Sequence, residues 1–310
     1  SFRLRFACEV VRAIKEKCGE DYPVILRYSV ESKMRAFGKG IIPADHTSKE
    51  LGRNIEESKE AIRILTEAGY DGFNADNGSY DAWYYAHPPV YMPLNCNLEN
   101  VRKMRPYTDK TIVCAGRMQL KDAAEAIRNG EIDMVGIGRQ FLCDEHFLTK
   151  VREGREEDVI PCISCHLGCL PVGLWKDGGK DTGAVFGNTG LCALNPYTHN
   201  EKKYAFAMAK EPRRIAVVGA GIAGMEFALQ AKRRGHTVEI FEKSDRTGGV
   251  FNEAAVFSFK EKDRDLLKYY ATQMKKQEIP IHFNCEIKDA KELDFDEVIL
   301  ATASLSERTL

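Results

Sequence analysis

The feature that most constrains this chain is a short glycine turn, Gly219-Ala220-Gly221-Ile222-Ala223-Gly224, and what stands on either side of it. Before it, Arg214-Ile215-Ala216-Val217-Val218 reads as a buried strand. After it, Met225 to Gly235 carries the pattern of a helix, and Thr237-Val238-Glu239-Ile240-Phe241-Glu242 reads as a second strand. Strand, tight turn, helix and strand within about 30 residues make a parallel βαβ unit. A lone Gly-x-Gly-x-x-Gly is weak, but in this context it predicts a dinucleotide site. Gly219 makes the turn, Gly221 lets a pyrophosphate approach, and Gly224 lets the helix pack close to the strand. Glu242, ending the next strand, is expected to bind the adenosine ribose hydroxyls.

Residues 1 to about 158 repeat the alternation of strand and helix. Strands are expected at 23–30, 70–75, 110–116 and 133–138. Helices are expected from residue 6 to Gly19, with Phe6, Val10, Val11 and Ile14 as the apolar face, and over 55–68, 97–104, 120–128 and 145–152. An irregular loop rich in aromatics and prolines fills 76–94. Short apolar strands buried on both faces suit a parallel α/β sheet or barrel. In such barrels the chemistry collects at the strands' carboxyl ends. Three of these ends carry Arg27, Gly116-Arg117 and Gly138-Arg139. A Gly-Arg pair suits a phosphate, because glycine opens the backbone N–H and arginine offers a bidentate fork. By spacing alone, Arg117 and Arg139 read equally well as surface residues at helix starts.

The ten cysteines fall into two groups. Cys8, Cys18, Cys96, Cys114, Cys143 and Cys285 are scattered on apolar or helical stretches and read as buried free thiols in a reducing compartment. Cys162, Cys165, Cys169 and Cys192 have the spacing Cys-x2-Cys-x3-Cys-x22-Cys. Zinc usually takes two short knuckles, whereas one compact loop with three cysteines suits a cubane cluster. The spacing leaves both open, and His166 inside the motif is not needed as a ligand. Lys176 to Gly190 reads as a surface loop, and a polar helix is expected before Pro212. A net charge of −1 with 29% charged residues gives no reason to expect nucleic acid or a membrane surface as the main partner. There is no apolar run long enough for a membrane span and no signal peptide, so a cytoplasmic location is expected.

Val135 to Asp144, preceded by Cys114-Ala115-Gly116-Arg117-Met118, resembles the last two barrel strands of the Old Yellow Enzyme family, and Leu26-Arg27-Tyr28-Ser29 resembles its fifth. The resemblance implies FMN at these strand ends. Arg27 would lie near the N1/O2 edge of the flavin, with Gly116, Arg117, Gly138 and Arg139 at its phosphate. Asn74 to Pro89 is similar to the 2-enoate reductases and the flavoenzymes of bacterial bile-acid dehydroxylation. That likeness implies His87 as an acid or anion binder, although His87 also reads as a structural residue before two prolines. Tyr80, Tyr84 and Tyr85 suit packing as well as proton donation. Relatives with a C-terminal extension, the 2,4-dienoyl-CoA reductases and trimethylamine dehydrogenases, carry a similar cysteine motif after the barrel. This implies a [4Fe-4S] cluster on Cys162, Cys165, Cys169 and Cys192. Gly248-Gly249 and Asp296 to Ala303 resemble FAD-binding disulfide-reductase-like domains, with NAD or ADP as the alternative ligand. Ala303 stands where those domains have glycine.

The expected α/β architecture has three parts. Residues 1–158 are the C-terminal half of an FMN-binding (β/α)8 TIM barrel, 159–204 an iron–sulfur segment, and 205–310 a truncated Rossmann-like FAD/NAD(P)-binding domain. A barrel needs eight strands and this chain supplies four, so the resemblance covers nearly all of the chain while the chain covers about half of the family's length. The proton donor and further strands are expected upstream of Ser1. The implied activity is NAD(P)H-dependent reduction of an activated C=C bond in a 2-enoate, enone or enoyl thioester. Electrons would pass from FAD through [4Fe-4S] to FMN, in a homo-oligomer. The rival readings are an amine dehydrogenase of the trimethylamine dehydrogenase type and a non-catalytic, zinc-held fragment.

Overall fold

The computed structural model describes residues 2–45, 47–169 and 191–302. The loop expected at 176–190 and the departure at Ala303 lie outside them. The chain forms two compact units, residues 1–138 and 139–310.

The first unit is built on a parallel sheet of β1 (Ile25–Ser29), β4 (Gly72–Asp76), β5 (Thr111–Ala115) and β6 (Met134–Gly136), in that spatial order. A short antiparallel hairpin, β2 (Met34–Ala36) with β3 (Lys39–Gly40), follows β1 and was not legible in the sequence. Helices α1 (Arg5–Cys18), α2 (Ile55–Ala68), α3 (Leu98–Val101) and α4 (Leu120–Arg128) connect the strands. α2 forms where expected, for local reasons. Asn54 accepts from the Glu57 N–H, the Glu57 side chain reaches back to the Asn54 N–H, and Gly69 closes the helix in the left-handed region.

The strands' period of two sorts their side chains. Tyr28, Phe73 and Ile112 point into a core shared with Ile62 and Leu65 of α2 and Val11 of α1. Each such apolar side chain contributes about 1.5–3 kcal/mol on full burial. The other face carries Arg27, Asn74 and Val113, neighbours in the ladder register. The expectation that both faces are buried fails here. Ile25 and Met134 on this second face are 58% and 56% exposed, because the helices cover only one side.

The face of α1 also differs from its expected stripe. Cys8, Val11 and Lys15 are buried, while Phe6 and Val10 are exposed. The buried set follows i, i+3, i+7. Lys15 is tolerated inside because its ammonium bonds Asp71 at 2.7 Å and the Glu20 and Tyr22 carbonyls at 2.8 Å each. Among the six scattered cysteines, Cys18 is exposed, and Cys96 and Cys285 are only partly buried.

The second unit opens with α5 (Arg139–Cys143) and α6 (Phe147–Arg152), where a single helix over 145–152 was expected. Its parallel sheet runs β10 (Glu297–Leu300), β7 (Arg214–Val218), β8 (Thr237–Phe241), β9 (Ile281–His282). Helices α7 (Ile222–Arg233), α8 (Phe251–Ala254) and α9 (Glu261–Lys276) complete it. Ile215, Val217, Met225, Leu229, Ile240, Leu266 and Tyr270 form its core. The polar helix expected before Pro212 is absent: residues 201–204 form only turns, and 205–209 have no regular structure. The large apolar residues of that stretch, Tyr204, Phe206 and Met208, recur at every second position rather than at helical spacing, so a helix would gather no apolar face to pack. Among the described residues, no helix is long and apolar enough to cross a membrane.

Candidate functional site

In the first unit, Arg27, Gly116, Arg117 and Gly138 stand at or beyond the carboxyl halves of parallel strands, whereas Arg139 begins the second unit. Arg27 and Asp76 form an ion pair on the open face of the sheet. Asp76 is only 3% exposed, and burial pushes its carboxyl up to about 7, against the opposing charge and hydrogen bond of Arg27. The Asn74 Oδ1 atom, beside Arg27 in register, is buried with no protein partner. An unpartnered buried acceptor next to an arginine suits a polar ligand ring with its own donors. Gly116 has φ +123°, and a Cβ there would stand 2.4 Å from Asn97 Nδ2. Arg117 also adopts a positive φ, +48°, and its guanidinium donates to the Val90 and Met92 carbonyls. A Cβ on Gly138 would meet nothing within 4 Å, so its backbone faces open space.

Residues 76–94 are held by side chains that sequence spacing did not single out. Asn97, fully buried, donates to the carbonyls of Tyr85 (3.0 Å) and Ala115 (2.9 Å) and accepts from Asn77 (3.0 Å). Asn100 bridges Asn77 and Glu31. His87 is exposed, packs edge-on against Trp83 with ring centroids 5.5 Å apart, and donates its backbone N–H to the Trp83 carbonyl. Tyr85 is buried and Tyr84 packs against it, whereas Tyr80 is 96% exposed.

Asp76 makes a pH dependence. Its folded pKa lies above the unfolded value, so the folded state holds the extra proton. Its stabilising contribution is complete below about pH 4 and is lost as pH rises to about 7. Asp76→Asn should therefore flatten the fall in unfolding free energy between about pH 4 and 7, measured by urea titration. An unchanged slope would show that Asp76 titrates like an exposed carboxylate.

In the second unit, Cys162, Cys165, Cys169 and Cys192 line one pocket with Arg139, Leu142, Cys143, Ile163, Ser164, His166, Leu167 and Leu194. Local geometry explains how the loop curls. Ser164, His166 and Gly168 all have positive φ, alternating with ordinary residues. Such alternation turns successive N–H groups toward a shared concavity. The Leu194 N–H bonds the Cys192 sulfur at 3.4 Å. The Gln140 side chain of α5 pins the loop, accepting from the Cys162 N–H at 2.9 Å and donating to the Ile160 carbonyl at 2.7 Å. Asn195 and Thr198 bond the Leu142 carbonyl at the end of α5, docking the segment that follows Cys192.

Burial raises the pKa of Cys162 and Cys169, with the Arg139 charge opposing. Cys192 is lowered to about 6, first by a hydrogen bond from Cys143. Arg139 contacts the His166 ring. Among the described residues, no group of three or more His, Cys, Asp or Glu side chains is placed to hold a metal ion. The four thiols share a pocket without closing on one point. Their chemistry still fits an iron–sulfur cluster: four sulfur donors, N–H groups aimed at the sulfurs, apolar walls and one nearby cation. Ile163 and Leu194, which wall the pocket, also pack on the hydrophobic core around β7 and α7.

That core carries the glycine turn. Gly219 has φ +108°, and a Cβ there would lie 2.7 Å from the Ala301 carbonyl oxygen. A Cβ on Gly224 would lie 2.0 Å from the Gly219 oxygen, while one on Gly221, at the start of α7, would meet nothing within 4 Å. Gly248 and Gly249 pack directly on this turn. The Gly248 N–H donates to the Ala220 carbonyl at 2.8 Å, and Gly248 bridges to Gly221. Glu242 is 7% exposed and accepts from Ala220 N–H (2.7 Å), Ser244 N–H (2.9 Å) and Ser244 hydroxyl (2.8 Å). Burial raises its pKa, but these bonds outweigh burial and leave it lowered. The structure thus brings together Gly219, Gly221, Gly224, Glu242, Gly248 and Gly249. It also adds Cys143 to the cysteine pocket, which the sequence reading had set aside as one buried thiol among six.

Comparison with known proteins agrees with this division of features. A family model described as the NADH:flavin oxidoreductase / NADH oxidase family matches residues 2–158. A second, described as pyridine nucleotide-disulphide oxidoreductase, matches residues 193–308. Cinnamate reductase of Clostridium sporogenes is 41% identical over 311 aligned residues, covering 99% of this chain and 45% of that protein. NADH oxidase of Thermoanaerobacter brockii is 29% identical, covering 97% and 43%. The structure of a 2-naphthoyl-CoA reductase with 2-naphthoyl-CoA superposes with a TM-score of 0.80 at 28% identity, over 96% of this chain and 42% of the other. The chain therefore spans less than half the length of these relatives.

Proposed function

Because the chain belongs to the NADH:flavin oxidoreductase / NADH oxidase family, we propose that the full-length protein is an NAD(P)H-dependent reductase of an activated C=C bond. The same reading assigns 1–158 to an FMN domain, 159–204 to an iron–sulfur segment and 205–310 to a flavin- or nucleotide-binding domain. The observation that carries it is that the four-thiol pocket and the glycine turn lie in one compact unit and share the hydrophobic core behind them. An electron relay needs that proximity.

Bound FAD, a [4Fe-4S] cluster and FMN would supply hydride uptake from NAD(P)H, a one-electron relay and hydride delivery to the β-carbon. Gly221 opens the helix start to a pyrophosphate, and Gly248-Gly249 keep the opposite wall free of side chains. Glu242 orients the turn through the Ala220 N–H and is the acceptor for ribose hydroxyls. Cys162, Cys165, Cys169 and Cys192 would hold the cluster through their thiolates. Arg27, paired with Asp76, would offer positive charge to a bound flavin, and the orphaned Asn74 Oδ1 would offer it a hydrogen-bond acceptor. Gly116 and Gly138 would leave backbone N–H groups open to a phosphate with Arg117 as the cation beside it, and His87 is the candidate for holding a substrate carboxylate or carbonyl. The likeness to cinnamate reductase favours an aryl enoate as substrate, with a homo-oligomer in the cytoplasm as the working form.

Anaerobically purified full-length protein should contain about four irons with acid-labile sulfide per chain and should oxidise NADH when cinnamate is added. A single zinc, or amine-dependent reduction of an external acceptor with no alkene reduction, would overturn the reading.

A further inference from the structure

Arg139 follows Gly138 in one of the two Gly-Arg pairs, and its side chain lines the cysteine pocket of the second unit, which it begins. Its Nη1 stands 2.5 Å from the His166 Nε2. His166 has φ +61° and directly follows Cys165, in the short run that leads to Cys169. The contact therefore braces the middle of the three-cysteine loop from the first residue of α5. Gln140, next on that helix, holds the start of the same loop through the Cys162 N–H and the Ile160 carbonyl. Among the described residues that line the pocket, Arg139 is the one with a permanent charge. Leu142, Ile163 and Leu194 wall the same space, and a charge set among apolar walls acts more strongly than one in water.

Resting on the reading of the pocket as a [4Fe-4S] site, we propose that Arg139 serves the cysteine pocket rather than a flavin phosphate: it braces the loop, and its charge raises the reduction potential of the cluster held there. Four thiolates make such a site anionic, and each added electron makes it more so. A fixed cation beside it favours the reduced form over the oxidised one, since net charge is one of the levers that set a cluster's potential. Arginine suits the place. Its guanidinium stays protonated at working pH and is more weakly hydrated than an ammonium, so it tolerates a half-buried position. The electron comes from NAD(P)H by way of the flavin, and Arg139 neither gains nor loses a proton.

The test compares Arg139→Gln and Arg139→Lys in the full-length holoenzyme, with FMN and iron content measured beside midpoint potentials from redox titration followed by electron paramagnetic resonance. Glutamine keeps a donor for the His166 side of the loop and drops the charge; lysine keeps the charge. Both variants are expected to retain wild-type FMN, iron and sulfide. Glutamine should lower the potential by an amount corresponding to roughly a three- to tenfold shift in the one-electron equilibrium, up to about 59 mV. Lysine should restore most of that difference. The proposal is overturned if glutamine leaves the potential unchanged, if glutamine and lysine lower it equally, or if glutamine loses iron. Loss of FMN from either variant also overturns it, by returning Arg139 to the phosphate. Wild-type protein without iron would instead overturn the cluster reading, and the proposal with it.

Discussion

Serine in place of Cys165 is expected to cut NADH-dependent alkene reduction by more than about a hundredfold. Removing a hydrogen-bond partner of a metal ligand typically costs 10–100-fold, and removing the ligand itself costs more. Cys165 sits in the three-cysteine loop, walled by the same residues that line the pocket around Cys162 and Cys169. A serine hydroxyl is a far poorer iron ligand than a thiolate at neutral pH, so the proposed cluster would lose one of its four protein ligands. Iron and sulfide content should fall with activity. FAD reduction by NADH, followed by rapid mixing, should persist, because the glycine turn and Glu242 are untouched. That split between retained flavin reduction and lost alkene turnover distinguishes a broken relay from a misfolded chain. Full turnover with wild-type iron content would exclude Cys165 as a ligand.

The second large effect separates two glycines of one motif. Gly224→Ala should destabilise the second unit by about 3 kcal/mol, in the range of overpacked cores. Its Cβ would stand 2.0 Å from the Gly219 oxygen and 3.2 Å from the Ala301 Cβ, so α7 must move away from the turn. That motion lifts Met225, Ala228 and Leu229 off the core behind β7 and β8. Gly221→Ala has a different consequence. Nothing lies within 4 Å of its Cβ, and the backbone there has φ −72°. Stability should hold, while nucleotide affinity falls because the new methyl occupies the space a pyrophosphate would use. Thermal melts of the apo-protein and flavin titrations of both variants test this. Equal losses of stability in the two would refute the assignment of separate roles.

The Arg27–Asp76 pair and the Asn97 contacts show where sequence reasoning stopped. Arg27 was legible because it ends a strand. Asp76 was not, because only the parallel register of β1 and β4 brings their ends together. Asn97 carries no spacing signal, since its partners, the Tyr85 and Ala115 carbonyls, lie in separate segments. The face of α1 was misjudged for a related reason. Two apolar stripes compete on that helix, and the one that packs is chosen by α2, not by α1 itself.

Local chemistry, by contrast, was read directly from the chain. The capping box of α2, the left-handed closure at Gly69 and the three glycine roles at 219, 221 and 224 depend on residues close in sequence and on backbone sterics, which no distant contact needs to supply. The four cysteines were recognisable as one group because three share a loop. The surroundings of Cys192 were decided by packing: Asn195 and Thr198 dock the segment after it onto the end of α5, which puts Cys143 in the lining of the same pocket. Spacing along the chain names the atoms that can bind, but burial and long-range hydrogen bonds set their neighbours, and with them their charge and potential.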